Sequence, residues 1–284
     1  MNMNVVRDVE DEPVDKMAMW WRSSITEIAP DVIRLRGYPI QDLIGNITFP
    51  AVVWLMTRGE LPTAAQARLL EAVLVAGVDH GPLAPSLSIA RMAATCGVGL
   101  NNAIASGVNV LGDVHGGAGE QCMEFLAGIE QALDTDSALQ PAVSQALLEF
   151  QKKRGRYIPG FGHRFHRVDP RAVRIGKLLD AAIQEGVISG DIVRIARAVE
   201  RYFEDSGRNV PMNIDGITAV VLLELGFPPP LGRGIFILSR SVGICAHAWE
   251  QTQQGGRIKG PVPKDCGFKY EGPPKRVIPG EWLA

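Results

Sequence analysis

Apolar residues recur at every third or fourth position along most of the chain, which is the spacing of helices that bury one face. This pattern predicts helices over eight stretches: residues 64–78, 87–98, 100–111, 140–153, 170–188, 191–203, 214–225 and 234–251. One short β-segment is predicted at residues 32–35. The hydrophobic pattern therefore predicts an all-α fold.

The predicted helices are separated by segments rich in glycine and proline, such as Gly226-Phe-Pro-Pro-Pro. Two of the helices carry start signals. Thr63 and Asp169 are suitable N-cap residues, and Pro170 then occupies the favoured first helical position. No internal repeat is apparent, and after about Gln251 the chain turns irregular.

The composition excludes several classes of partner. The chain has 284 residues, 29 of them basic and 31 acidic, so it lacks the basic surface that nucleic acid binding requires. The first residues are acidic and polar, unlike a targeting peptide, and no apolar run is long enough to span a bilayer. Four scattered cysteines give no support to a zinc or disulfide framework. We expect a cytoplasmic protein with no nucleic-acid or membrane partner.

Three of the five histidines lie in glycine-flanked motifs: Asp79-His80-Gly81-Pro82, His115-Gly-Gly-Ala-Gly, and Gly160-Phe-Gly-His163-Arg. Glycine lets the backbone approach a ligand closely. A neutral imidazole can donate one hydrogen bond to a carbonyl or enolate oxygen. Each histidine alone would as readily cap a helix, but the three together predict a chemical site.

Asp215 stands where an apolar helix begins and has two interpretations. It is an N-cap, or it is a carboxylate whose basicity is raised by desolvation. Spacing alone favours the cap. For His247, inside an apolar helix, the pattern favours a core histidine bonded to Glu250 or to a carbonyl, and His166 is expected to face solvent.

Two arginines are further candidates. Arg240 lies in an apolar helix, where an unpaired guanidinium is costly, so it must find an anion from the protein or from a ligand. Arg171 lies at a helix start, where the dipole disfavours a cation. A bound carboxylate or phosphate would compensate for that position.

Taken in order, these motifs resemble the citrate synthase superfamily over roughly residues 34–279. Further matching segments are Leu35-Arg-Gly-Tyr-Pro-Ile-Gln-Asp-Leu, Arg58-Gly-Glu-Leu-Pro-Thr, Asn213-Ile-Asp-Gly and Ser239-Arg-Ser-Val-Gly-Ile-Cys-Ala-His. The resemblance implies a two-domain helical fold, with a large domain at residues 1–115 and 216–284. It also implies a small CoA-binding domain at residues 116–215 that closes over CoA, and a homodimer or a dimer of dimers.

The resemblance further implies the making or breaking of a carbon–carbon bond at a CoA thioester. Asp215 matches the base that removes a proton from the methyl group of acetyl-CoA. His115 matches the residue that hydrogen-bonds the thioester oxygen, and His163 the one that polarises the ketone of an oxaloacetate-like acceptor. The positions that hold the acceptor's carboxylates match His80, Arg171 and Arg240.

The same resemblance implies a CoA site and no resident cofactor. The backbone of Gly160, Phe161 and Gly162 would lie against the CoA adenine. Arg164 and Arg167 are candidate phosphate contacts, although a solvated basic face explains them nearly as well. No metal and no tightly bound cofactor is expected, because the CoA thioester is itself a substrate.

Departures from the family pattern refine the hypothesis. The short interval 64–78 and the Asp79-His-Gly-Pro motif resemble citryl-CoA lyases and the corresponding module of ATP-citrate lyase, whereas His115-Gly-Gly-Ala is typical of synthases. Gly260 stands where the family has a C-terminal arginine, for which Arg257, Lys259 or Lys264 would have to substitute.

The leading hypothesis is a citryl-CoA lyase-like enzyme that yields acetyl-CoA and oxaloacetate. Microscopic reversibility leaves the physiological direction open. One alternative is a citrate or methylcitrate-type synthase. Another is a catalytically silent CoA-binding paralogue, which would be marked by loss of Asp215 or His163, and both are present.

Overall fold

A computed structural model describes residues 14–133, 139–163, 166–263, 265–267 and 269–278. These residues form twelve helices and one three-stranded antiparallel sheet, which confirms the all-α class. The helices are α1 Val14–Trp20, α2 Ile40–Leu43, α3 Phe49–Arg58, α4 Ala64–Gly77, α5 Pro85–Ala94, α6 Leu100–Val108, α7 Ala118–Ala132, α8 Leu139–Arg154, α9 Pro170–Gln184, α10 Asp191–Asp205, α11 Ile214–Glu224 and α12 Pro229–Gln254. The strands are β1 Thr26–Ala29, β2 Val32–Leu35 and β3 Tyr38–Pro39.

All eight predicted helices are present, and four others were missed. The missed helices are α1, α2, α3 and α7. Pro50 lies in the first turn of α3, where its missing N–H costs no hydrogen bond, so it does not interrupt the helix. Helix α7 begins within a glycine-rich motif that reads as a loop. Helix α12 starts five residues before its predicted beginning, at a proline pair.

The predicted strand at residues 32–35 is confirmed as β2, and it pairs with β1 and β3. Strand β1 was missed because every one of its residues is exposed, so no face of it is marked by apolar residues. Ile28 of β1 lies opposite Ile33 of β2.

The chain divides into two compact units. The first comprises the described residues up to Gly77 together with Gly116–Ser239. Its core surrounds α11, which is apolar on nearly every face and packs against α4, α7, α9 and α10. Fully buried side chains of this core include Leu70, Met123, Leu126, Val220 and Leu222.

The second unit comprises Val78–His115 and the described residues from Arg240 onward. Helices α5 and α6 and the second part of α12 supply its smaller core, formed by Leu87, Ala90, Ala103, Ile244 and Ala248. The closure of a small domain at residues 116–215 over CoA stays a prediction. None of the helices in the described ranges has the length and apolar character needed to cross a lipid bilayer.

Side chains satisfy the free N–H groups at several helix starts. Thr63 and Gln66 form a reciprocal capping box at α4, with Gln66 N donating to Thr63 Oγ1 (3.2 Å) and Thr63 N to Gln66 Oε1 (3.0 Å). Asp169 caps α9 by accepting from Arg171 N (3.0 Å). Both predicted caps are confirmed.

Helix α10 is capped from another helix. Its N-cap residue, Gly190, has no side chain to offer. The Glu224 carboxylate of α11 instead accepts from the backbone N–H groups of Gly190 (3.0 Å), Ile192 (2.8 Å) and Val193 (3.1 Å). This contact fixes the start of α10 against the end of α11.

Candidate active site

Asp215 lies in the first turn of α11 but is not the cap of that helix. Asn213 is the N-cap, and its Oδ1 accepts from the backbone N–H groups of Asp215 (2.9 Å) and Gly216 (3.2 Å). The prediction from spacing that Asp215 is the cap is therefore wrong. With the capping position filled by Asn213, the half-buried carboxyl group of Asp215 is not needed to start the helix.

The glycine loop before His163 is bound to the segment that starts α11. Phe161 and Met212 form an antiparallel bridge, and Gly162 N donates to Pro211 O (2.8 Å). Asn213 N donates to Gly160 O (3.0 Å), and Asn213 Nδ2 donates to Gly162 O (2.6 Å). Asn213 thus joins the loop predicted to bind CoA to the helix that carries Asp215.

Two glycines make this contact possible. Gly160 has φ +84°, and a methyl group added there would lie 2.7 Å from Gly216 Cα and 2.5 Å from Cys122 Sγ. A methyl group at Gly216 would overlap the carbonyl oxygen of Gly160. The loop and the first turn of α11 therefore pack backbone against backbone, which only glycine permits at both positions.

The Cys122 thiol lies in the same region and is fully buried. Burial raises the pKa of this thiol well above its usual range, and the negative charge of Asp215 raises it further. Cys122 is therefore a neutral packing group, not a nucleophile.

Asp169 links the start of α9 to the start of α11. Its buried carboxylate binds the Arg171 guanidinium at two points, with Nε to Oδ1 (3.0 Å) and Nη2 to Oδ2 (2.8 Å). It also accepts from Ile214 N (3.2 Å), one residue before Asp215. Burial alone would raise the pKa of Asp169, but the hydrogen bonds and charge of Arg171, with the Ile214 amide, lower it below its ordinary value.

Arg171 has an anion partner within the protein. From the sequence, a bound carboxylate or phosphate was expected to compensate for its charge at a helix start. Asp169 supplies that anion from within the protein, by a bidentate contact. Arg171 is held rigidly in place, and its position in the family pattern is what keeps it a candidate for substrate binding.

His163 has a tautomer fixed by the backbone. Its Nδ1 accepts from His166 N (3.1 Å), so in the neutral ring the proton resides on Nε2. His163 is half-buried and stacks near the exposed ring of His166, with ring centroids 4.6 Å apart. Nε2–H is the donor that polarisation of a ketone requires. The predicted phosphate contact Arg167 is exposed, and Arg164 lies outside the described residues.

His115, in the second unit, is fixed in the opposite tautomer. Its Nε2 accepts from the backbone N–H of Ser86 (3.2 Å), in the first turn of α5, and lies 3.0 Å from Ser86 Oγ. A backbone N–H can only donate, so the proton of the neutral ring is on Nδ1. His115 therefore does cap a helix, and the cap leaves Nδ1–H as its donor.

Partial burial lowers the pKa of His115, and the nearby charge of Arg240 lowers it further. Both effects favour the neutral imidazole, which is the form that donates a hydrogen bond to an enol oxygen without giving up a proton. Arg240 itself is buried in α12. Ser86 has no sequence signature beyond its place after Pro85 in the first turn of a helix.

His80 lies in an exposed turn of the second unit. Asp79 Oδ2 accepts from Gly81 N (3.2 Å), and Gly81 has φ +83°, a conformation that favours glycine. The turn therefore fixes the backbone on both sides of His80.

The chain after α12 returns to the end of α5. Ile258 N donates to Thr95 O (3.2 Å) and Lys259 N donates to Thr95 Oγ1 (2.8 Å). Gly260, which stands where the family has an arginine, directly follows these contacts. Lys264 lies outside the described residues.

The structure thus brings the predicted residues together in two groups. In the first unit, the Gly160–Gly162 backbone lies against the turn that carries Asp215, and the Asp169–Arg171 pair is bonded to the start of that helix. In the second unit, Arg240 acts electrostatically on His115.

Known proteins resemble this chain in both sequence and fold. A family model described as the citrate synthase C-terminal domain matches residues 17–68 and 64–261. The solved structure of citryl-CoA lyase from Hydrogenobacter thermophilus is similar over 93% of this chain and 99% of that chain, with 31% identity and a TM-score of 0.81. ATP citrate lyase from Methanothrix soehngenii shares the fold, with a TM-score of 0.75 at 20% identity over 96% of this chain and 46% of that one.

Among curated relatives, the citrate/2-methylcitrate synthase of Bacillus subtilis is 32% identical over 238 residues, which cover 82% of this chain and 59% of the relative. The chain spans a little over half the length of the first curated relatives that it matches. The family model covers most of the described residues. The chain belongs to the citrate synthase family.

Proposed function

We propose that the protein is a citryl-CoA lyase-like enzyme that cleaves citryl-CoA to acetyl-CoA and oxaloacetate. The observation that carries this proposal is the match in fold and sequence to the Hydrogenobacter thermophilus citryl-CoA lyase, with a TM-score of 0.81 and 31% identity over 93% of this chain. The curated synthases it resembles are much longer proteins.

The three catalytic roles follow from the chemistry of a thioester enol, written here in the direction of synthesis. Asp215 removes a proton from the methyl group of acetyl-CoA while His115 Nδ1–H donates to the thioester oxygen. The methyl carbon attacks the ketone carbon of oxaloacetate, and His163 Nε2–H gives its proton to the ketone oxygen, which becomes the hydroxyl of citryl-CoA. In cleavage the hydroxyl returns that proton to His163 Nε2, the carbon–carbon bond breaks to give the ketone and the enol of acetyl-CoA, and Asp215 returns its proton to the methylene carbon of the enol.

The hydrogen bonds of the two histidines support these roles. Each ring has one nitrogen that accepts from a backbone N–H, so each neutral ring has its proton on the other nitrogen. Each histidine therefore offers one N–H donor of fixed identity. A donor held in place before the reaction stabilises developing negative charge without the cost of reorganising.

We assign the binding of the carboxylates of oxaloacetate to His80, Arg171 and Arg240. A guanidinium has five N–H groups, and Arg171 uses Nε and Nη2 to hold Asp169. We assign CoA to the backbone of Gly160, Phe161 and Gly162, with Arg164 and Arg167 at the phosphates. CoA is a substrate in this scheme, and no tightly bound cofactor takes part.

Two reactions with purified protein test the proposal. In the first, citryl-CoA is supplied and oxaloacetate is measured by coupled oxidation of NADH. In the second, acetyl-CoA and oxaloacetate are supplied and free thiol is measured. Fast oxaloacetate release with little free thiol in the second reaction is the expected result, because a lyase does not hydrolyse its thioester. Brisk thiol release in the second reaction would contradict it.

That contrary outcome would favour a citrate or methylcitrate-type synthase. Two observations favour a synthase. His115 stands in the synthase-type His-Gly-Gly-Ala motif, and the chain is 32% identical to the Bacillus subtilis citrate/2-methylcitrate synthase. Parallel assays with propionyl-CoA in place of acetyl-CoA separate the two kinds of synthase.

We also propose that the protein works in the cytoplasm as a homodimer or a dimer of dimers. The family resemblance supports the assembly. Sedimentation equilibrium of the purified chain tests it, since a monomeric mass at micromolar concentration would contradict both assemblies.

A further inference from the structure

His247 lies in the part of α12 that belongs to the second unit, and it bonds to charged groups at both ring nitrogens. Its Nδ1 lies 3.1 Å from Arg91 Nη1, and its Nε2 lies 3.1 Å from Asp79 Oδ1. The side chain is 16% exposed. Arg91 of α5 and Asp79 of the turn before α5 are thus joined through a single imidazole on α12.

The identity of these partners fixes the state of the ring. A guanidinium only donates, so Nδ1 must be the acceptor and the proton lies on Nε2. Nε2–H then donates to the Asp79 carboxylate. A doubly protonated ring would set two donors against each other at Nδ1. The neutral His247 ring therefore accepts a hydrogen bond from Arg91 at Nδ1 and donates one to Asp79 from Nε2. We call this series of hydrogen bonds, from Arg91 through His247 to Asp79, the relay.

Arg91 is itself firmly held. It is buried, and it donates to Glu250 Oε2 and to Gln254 Oε1 (2.6 Å), both on α12. Hydrogen bonding to Arg91 and its charge lower the pKa of Glu250, so that carboxylate stays ionised. The end of the relay at His247 Nδ1 is anchored to α5 and α12 together.

The other end of the relay fixes the turn that carries His80. Asp79 uses Oδ1 to accept from His247 and Oδ2 to accept from Gly81 N (3.2 Å). On the preceding side, α12 approaches Val78 so closely that a methyl group at Gly243 would overlap the Val78 carbonyl oxygen. His80 therefore lies between two residues, Asp79 and Gly81, whose placement depends on α12.

We propose that His247 is a positioning residue for His80, acting through Asp79 and the Gly81 amide to set where the His80 imidazole meets an acceptor carboxylate. The inference about the turn stands on the hydrogen bonds above. Its consequence for substrate rests on the proposed function, in which His80 binds a carboxylate of oxaloacetate.

Two amide substitutions at His247 separate the halves of the relay. In His247→Gln the amide nitrogen reaches the place of Nε2 and can still donate to Asp79. In His247→Asn the shorter amide reaches only the place of Nδ1 and loses Asp79. Gln253→Ala is the matched control, because Gln253 is an exposed residue of α12 whose amide bonds only to Thr252 among the described contacts.

The first readout does not depend on any activity. Amide hydrogen exchange at Gly81 is expected to be several-fold faster in His247→Asn, about fivefold, because Asp79 is no longer held against that amide. His247→Gln and Gln253→Ala should exchange as the wild type does. Equal exchange rates in the Asn variant and the wild type would overturn the proposal, as would equal acceleration in the Asn and Gln variants.

The second readout is the kinetics of citryl-CoA cleavage, because citryl-CoA has the carboxylate that His80 binds in the proposed function. KM for citryl-CoA is expected to rise on the order of tenfold in His247→Asn, with kcat within about threefold of the wild type. His247→Gln should restore KM. A residue with only a structural role would lower Tm and the active fraction equally in both variants without changing KM, and that result would overturn the proposal.

Asp79→Asn provides a second route if His247→Asn does not fold. Its amide oxygen can keep the Gly81 bond, but its NH2 group then faces His247 Nε2–H, donor against donor. The same rise in KM is expected, and an unchanged KM would contradict the relay. If the wild type neither makes nor cleaves citryl-CoA, the proposed function fails, while Gly81 exchange still decides whether His247 positions the turn.

Discussion

Replacement of Asp215 by asparagine separates a base from a helix cap. The side chain keeps its size and its ability to hydrogen-bond, and it loses the charge and the basicity. Asn213 already caps α11 through two hydrogen bonds of 2.9 Å and 3.2 Å, so the substitution removes no cap. The structural cost should therefore be small, and the chemical cost should be large.

One part of the structural cost follows from the position of Asp215 in the first helical turn. A carboxylate there interacts favourably with the helix dipole by about 0.3–1 kcal/mol, which the neutral amide gives up. In chains of roughly this size each kcal/mol shifts Tm by about 2–4 °C. We expect Tm to fall by less than about 4 °C, and kcat for citryl-CoA cleavage to fall by about 10²–10⁴-fold.

The assay measures oxaloacetate release from citryl-CoA in a single turnover, beside thermal unfolding of the same preparations. Asn213→Ala is the comparison for stability: it removes both the cap and the bond to Gly162 O, so it should cost about 1–3 kcal/mol. An Asp215→Asn protein that keeps activity within a few-fold of the wild type, with a clearly lower Tm, would refute the assignment of Asp215 as the base.

Three further predictions address the groups around the site. The pKa of His115 in the folded protein lies below its ordinary value, so as the pH falls the unfolded chain binds a proton at this histidine before the folded protein does. The contribution of the neutral ring to the free energy of unfolding is therefore complete above about pH 6.5. It is lost as the pH falls from there to the lowered pKa. An NMR titration of the imidazole nitrogens should show that the pKa of His115 is lower in the folded protein than in the unfolded chain and that the neutral ring has its proton on Nδ1; a pKa raised on folding, or a proton on Nε2, would contradict this. In urea unfolding, Gly216→Ala should destabilise the fold by about 1–3 kcal/mol, because the added methyl group pushes the loop at Gly160 away. Gly128→Ala in α7 is the control, and it should be neutral or stabilising because the space around Gly128 is open. Glu224→Ala should lower the free energy of unfolding by about 1–3 kcal/mol in the same measurement, because it leaves the N–H groups that start α10 without an acceptor. It should leave kcat unchanged. Equal stability of the variant and the wild type would show that water replaces the carboxylate.

The sequence predicted those parts of the fold that depend on local rules. Asp169 followed by Pro170 is a typical pair of N-cap and first helical residue, and α9 begins at Pro170 as predicted. Helices with clear apolar spacing were found within a few residues of their ends. Strand β1 was missed because it is exposed throughout and has no buried face for a pattern to mark.

The candidate site was predictable in its members and not in its contacts. Asn213 and Asp215 are both good cap residues two positions apart, and only the backbone geometry decides which oxygen reaches the free N–H groups. Similarly, Asp169 serves both as the cap of α9 and as the partner of Arg171, so the charge that a ligand was expected to compensate is balanced within the protein. Ser86 sets the tautomer of His115 from 29 residues away, a relation with no sequence signature.

The central claim is that bond cleavage passes through an enol of acetyl-CoA that receives its proton from Asp215. The most direct measurement is mass spectrometry of the acetyl-CoA formed from citryl-CoA in D2O. The account predicts one deuterium in the methyl group of each acetyl-CoA, with oxaloacetate formed in equal amount, and almost no product from Asp215→Asn. Formation of citrate and free CoA, or acetyl-CoA without deuterium, would contradict it.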